Sequence, residues 1–134
     1  MQRSAVPADL KRLLTIRDGA GADALSDPAL IDDDGLARLI AAGATAVWEE
    51  DGRVMGFSAA DGGRIHLLVD TVCRGKGVGR ALLEAACTML KEAGCAVATL
   101  SVAICGSAIR HYCAAGWNDA GPSPTGGIVL KKPL

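Results

Sequence analysis

Leu82, Leu83, Ala86, Met89, Leu90 and Ala93 recur at steps of three and four residues, which predicts a one-sided apolar helix beginning after Gly79. Gly94 stands where a left-handed cap would close it. On either side lie near-continuous apolar runs, 65–69 and 96–102, with the length of strands buried on both faces. Strand, glycine turn, helix and strand in that order make a right-handed crossover between parallel strands. Upstream, two short β-type runs, 45–49 and 53–59, flank Asp51-Gly52, a dipeptide that favours the tight turn of an antiparallel hairpin.

Before the hairpin, Leu10, Leu13, Leu14 and Ile16 predict a helix over 7–16 with Pro7 in its opening turn. Asp32, Asp33 and Asp34 precede Leu36, Leu39 and Ile40, an acid-then-apolar order that marks a second helix closed by Gly43. The segment 22–28 between them reads as loop. Because Pro7 arrives before any β-like run has developed, no first strand is expected, and the sheet is expected to be short or completed by a partner chain. After the crossover, 107–115 reads as a short helix ended by Gly116, and 117–120 with 127–131 as closing strands around Pro122-Ser123-Pro124.

The 134 residues fit one α/β domain spanning 1–134. Half the residues are hydrophobic, yet no run approaches the roughly 18 apolar residues of a membrane span, and the N-terminus has no apolar stretch like a secretion signal. A cytoplasmic protein without a membrane partner is expected. A formal charge of −1 argues against a protein that coats nucleic acid. The five cysteines form no C-x-x-C pair and the two histidines lie outside zinc spacings, so reduced thiols and no metal are expected.

One stretch asks for chemistry. Gly75, Gly77 and Gly79 alternate with Lys76 and Val78 between Arg74 and Arg80, where a strand hands over to a helix. Unpaired backbone N–H groups at a helix N-terminus suit phosphate or pyrophosphate. A Walker A loop needs Ser or Thr after its lysine, and Lys76 is followed by Gly77. A dinucleotide fingerprint needs a glycine three positions after Gly77 or Gly79, where Arg80 and Leu82 stand. Both rivals fail on the residues.

The run Arg74-Gly75-Lys76-Gly77-Val78-Gly79, after Leu67-Leu68-Val69 and before an amphipathic helix, closely resembles the R/Q-x-x-G-x-G/A motif of GNAT-type N-acetyltransferases. The segment from Ala108 through Tyr112 to Gly116-Trp117 resembles that family's A-x-x-x-Y-x-x-x-G-F segment. The resemblance implies a mixed, mostly antiparallel sheet flanked by helices, with a parallel pair splayed at the cofactor cleft. It implies acetyl-CoA as cofactor, with the pyrophosphate on the amides of Gly75 to Gly79 and with Arg74, Lys76 and Arg80 nearby. The pantetheine arm is then expected along the backbone of Leu67, Leu68 and Val69, with an amide near Val69 for the oxyanion. Tyr112 matches the general acid that protonates the thiolate, and His66 stands where many members place a glutamate base. Side-chain alternation puts His66 on the face of Leu68, away from Leu67 and Val69.

Cys105 and Thr71 depart from the asparagine and proline often found at their positions. The implied reaction is direct attack by a primary amine, small-molecule or peptide, in a ternary complex; the alternative is an acyl-CoA-binding sensor or scaffold without turnover. An open sheet edge makes a homodimer possible.

Overall fold

The computed structural model describes residues 1–20, 24–73, 77–102 and 108–134. Seven strands, β1 (Gln2–Ser4), β2 (Thr45–Glu50), β3 (Arg53–Asp61), β4 (Arg64–Val69), β5 (Val97–Val102), β6 (Asn118–Pro122) and β7 (Ile128–Pro133), form one sheet in the order β1-β2-β3-β4-β5-β7-β6. Four helices, α1 (Leu10–Asp18), α2 (Asp33–Ala41), α3 (Val78–Glu92) and α4 (Ala108–Ala114), cover it. All strand pairs are antiparallel except β4 with β5, as the crossover around α3 requires. None of the described helices is long and apolar enough to cross a membrane.

The local signals act where they are expected. Asp51 and Gly52 both take left-handed backbone (φ 50° and 78°), the geometry of the tight turn whose twist matches the strands β2 and β3 that it joins. Asp32 accepts the amide of Gly35 at 2.6 Å and caps α2, while Asp33 reaches Arg17 of α1 at 2.7 Å. The acidic triplet therefore starts one helix and ties it to another.

The absence of a first strand is not borne out. β1 pairs antiparallel with β2, Arg3 opposite Val47, and needs no partner chain to complete this edge. Its three residues are polar, so no hydrophobic alternation announces them. Arg3 anchors the strand instead, donating to Asp9 at 2.8 and 3.0 Å and to Glu49 at 3.1 Å. These bonds hold the Asp9 carboxyl below its ordinary range.

The sheet separates two cores. On one face α1 and α2 bring Leu13, Ile16, Leu36 and Leu39 against Val47, Phe57 and Leu68. On the other, Val78, Leu82, Ala86 and Leu90 of α3 meet Leu67, Val69, Leu100, Tyr112, Trp117 and Leu130. The two-residue period of β4 does this sorting: Leu67 and Val69 go one way, His66 and Leu68 the other.

Candidate functional site

The parallel pair holds together at one end only. β4 and β5 are in register at Arg64 and Thr99, where the Thr99 amide donates to the Gly63 carbonyl at 2.8 Å, and toward their C-terminal ends the ladder stops. The segment Ala24 to Asp27 lies between the parted strands. Ser26 Oγ accepts the Leu67 amide at 2.8 Å and donates to the Leu67 carbonyl at 3.0 Å, and the Asp27 amide donates to the Ser101 carbonyl of β5 at 2.8 Å.

Beyond β4 the chain passes a single 3-10 turn, Thr71–Cys73, and enters α3 through Gly77, whose φ of 78° suits a residue without a Cβ. Arg12 fixes the approach. It donates to the Asp70 carboxylate at 2.7 Å and to the Val54 carbonyl at 2.8 Å, so α1 clamps the end of β4. The guanidinium and the Val72 amide hold the Asp70 carboxyl below its usual range. In α3 the Ala81 amide is the first to reach an intrahelical carbonyl, that of Gly77 at 3.1 Å. Among the described residues the amides of Val78, Gly79 and Arg80 have no such carbonyl, and a glycine N-cap offers them no side chain.

Gly77 to Arg80 border a cavity of about 1130 Å3 between α3 and α4. Leu67 and Val69 line its inner end with Leu25, and Gly77 to Arg80, Leu83 and Cys87 line the α3 wall. Tyr112 and His111 of α4, Trp117, and Lys132 of β7 complete it. Arg80 and Lys132 bring two cations to the lining, with Glu84 the one acid among the described lining residues. The Arg80–Glu84 pair is long at 3.4 Å and exposed, so it takes little from Arg80. Burial pushes the Cys87 thiol up, against the pull of Lys132.

Tyr112 is buried, its ring edge-on to Trp117 at 5.8 Å, and its hydroxyl donates to the Leu25 carbonyl at 2.7 Å. Burial raises the phenol well above 10, so it carries its proton throughout the neutral range.

Backbone direction divides the three β4 residues expected to bind as a group. The Asp70 amide donates to Met55 on β3 while that of Leu67 turns to Ser26, and amides alternate along a strand. Val69 therefore directs its N–H to the same side as Leu67. Leu68 faces its amide toward β3 and its side chain into the α1–α2 core. Gly77, Val78, Gly79 and Arg80 line the cavity as expected; Arg74, Gly75 and Lys76 lie outside the described residues.

His66 and Tyr112 are not brought together. His66 is 2 % exposed, on the α1–α2 side of the sheet, and does not line the cavity. Its Nε2 has no hydrogen-bond partner among the described residues; the Asp61 carboxylate stands 3.6 Å away. Burial lowers the imidazole pKa against the opposing pull of Asp61. The sequence reading missed Leu25, Ser26 and Lys132. The first two sit in a segment read only as loop, and Lys132 belongs to a strand with no local signal of a site.

Residues 41–119 match the family model of the acetyltransferase (GNAT) domain. No curated protein matches the chain by sequence. Among solved structures, the PaiA N-acetyltransferase from Thermoplasma acidophilum, in complex with coenzyme A, superposes with a TM-score of 0.77 at 14 % identity, covering 100 % of this chain and 98 % of that one. The ribosomal-protein-alanine N-acetyltransferase from Brucella melitensis gives 0.76 at 21 % identity, covering 100 % and 99 %. YncA from Salmonella typhimurium, a putative acetyltransferase with its cofactor acetyl-CoA, gives 0.75 at 21 % identity, covering 100 % and 92 %.

Proposed function

The chain belongs to the GNAT acetyltransferase family, and we propose that it moves the acetyl group of acetyl-CoA to a primary amine by direct attack in a ternary complex. The observation that carries this reading is the convergence, around one cavity, of the first turn of α3, the β4 residues Leu67 and Val69 where the parallel ladder has stopped, and Tyr112. Each suits one part of a long ligand with a charged end and an amide-bearing arm.

Amides of Val78, Gly79 and Arg80 at the positive end of a helix dipole suit a diphosphate. The sequence adds Arg74, Gly75 and Lys76 just ahead of them. Arg80 and Lys132 suit further phosphate charge. Leu67 and Val69 suit a secondary amide laid alongside β4 as an extra strand. The PaiA and YncA structures, crystallised with coenzyme A and acetyl-CoA, support the choice of cofactor.

Acetyl-CoA supplies the activated thioester. The chain supplies a donor and an acid: the Val69 amide would donate to negative charge growing on the thioester oxygen, and Tyr112 Oη would give its proton to the departing sulfur, while the proton shed by the attacking nitrogen passes to solvent, from which Tyr112 is reprotonated. A phenol raised by burial is a weak acid against a thiol of pKa near 8.5 in water, so the transfer depends on the thiolate being equally poor in solvent. His66, the other residue expected to act, we assign to the fold: its face of β4 is filled by the α1–α2 core.

The test is a thiol-release assay with acetyl-CoA across a library of small amines, polyamines, peptide N-termini and lysine peptides. Turnover with one class is expected. A second reading, an acyl-CoA-binding module without turnover, is favoured by one observation: the Tyr112 hydroxyl and the Leu67 backbone are already engaged by Leu25 and Ser26. Binding of CoA with no turnover on any amine would replace the first reading by the second.

A further inference from the structure

A hydroxyl that accepts from an amide and donates to the carbonyl of the same residue offers a strand edge the same two bonds as a secondary amide would. Ser26 Oγ does this to Leu67 at 2.8 and 3.0 Å, 2 % exposed, in the gap where β4 and β5 part. Its neighbours complete the fit. Leu25 packs its Cδ1 where a side chain on Gly79 would begin, 2.7 Å from the position of that Cβ, and its carbonyl accepts the hydrogen bond from the Tyr112 hydroxyl. Asp27 donates its amide to Ser101 of β5, and its carboxylate receives both the Ala29 amide at 2.9 Å and the Thr125 hydroxyl of the β6–β7 connection.

We propose that Leu25 to Asp27 form a displaceable plug, in which Ser26 stands in for the pantetheine amide of the cofactor. The inference rests on the proposed function, since it assigns that arm to the edge of β4. Entry of the arm lifts Ser26 from Leu67, and with it the Leu25 carbonyl leaves Tyr112. One event then both seats the cofactor and frees the phenol for the sulfur.

Three measurements test the plug, with CoA as the probe. In calorimetric titration Ser26→Ala should bind CoA up to roughly tenfold more tightly than the parent, because the Leu67 groups stay unpaired until the cofactor arrives. The free variant should melt lower than the parent, with the gap closing at saturating CoA. Hydrogen exchange of the unaltered protein guards against a variant that does not fold. On adding CoA, the Asp27 amide should lose protection while residues 65–69 keep theirs. CoA binding with an unchanged or weaker Ser26→Ala affinity, or with added protection at Asp27, overturns the plug and leaves the proposed function standing. A parent protein that does not bind CoA overturns both.

Discussion

The two faces of the sheet bury comparable apolar side chains and differ in what they do with polar ones. On the α1–α2 face Leu36, Val47, Phe57 and Leu68 are fully buried, and the imidazole of His66 is buried with no hydrogen-bond partner for its Nε2 among the described residues. On the α3–α4 face the packing stops short, leaving a cavity, and the polar groups that border it have partners they can exchange, Tyr112 with Leu25 and Leu67 with Ser26, while the Ser58 hydroxyl on the same face, away from the cavity, has none among the described residues. The lesson is that a buried polar group signals a site when its bonds can be traded for a ligand's. A buried polar group with nothing to trade is a cost carried by the fold.

The sharpest way to break this comparison is on the open face. Tyr112→Phe should lower kcat by about 10²–10⁴, the range of a lost general acid, while CoA affinity in calorimetric titration stays nearly intact. A fall in cofactor affinity instead would make Tyr112 a wall of the cavity. On the closed face the largest effect is on stability. Phe57, fully buried between the sheet and the α1–α2 pair, should cost about 3–5 kcal/mol when cut to alanine, read from denaturant midpoints.

His66 sharpens the comparison by pH. Its pKa in the folded chain is lowered by burial, with Arg64 adding to the shift and Asp61 opposing it. The stability it leaves is therefore whole above the unfolded value near 6.5. It is lost as pH falls through that value toward the folded one, by at most about 1.4 kcal/mol per pH unit. His66→Gln should flatten the melting temperature between pH 7 and 5 and leave kcat at neutral pH unchanged; a collapse of kcat would return His66 to the reaction. The smallest effect is Asp32→Ala, which removes the α2 cap and should cost about 1 kcal/mol in chemical denaturation without changing turnover.

What could be read from the chain follows the range of the forces involved. The helix α3, the Asp51-Gly52 hairpin and the parallel crossover are written in short-range periodicity and turn chemistry, and the alternation of β4 placed His66 and Leu67 on opposite faces. β1 could not be read because three polar residues at an edge are held by backbone bonds and by Arg3, neither of which leaves a hydrophobic trace. Ser26 reaches Leu67 across 41 positions through a hydroxyl that any surface loop might carry. The direction of the Leu68 amide is a matter of register, fixed only once β3 has paired. The glycine run pointed to the cavity, while Lys132 entered its lining through the path of the last strand.

The edge contact between Trp117 and Tyr112 gives the protein a built-in optical reporter. The chain has two tryptophans, and Trp48 lies on β2, outside the cavity lining. Replacing Trp48 with phenylalanine would leave Trp117 as the sole indole emitter, 5.8 Å from the phenol ring, so that its emission follows occupancy in real time without a dye or a coupled assay.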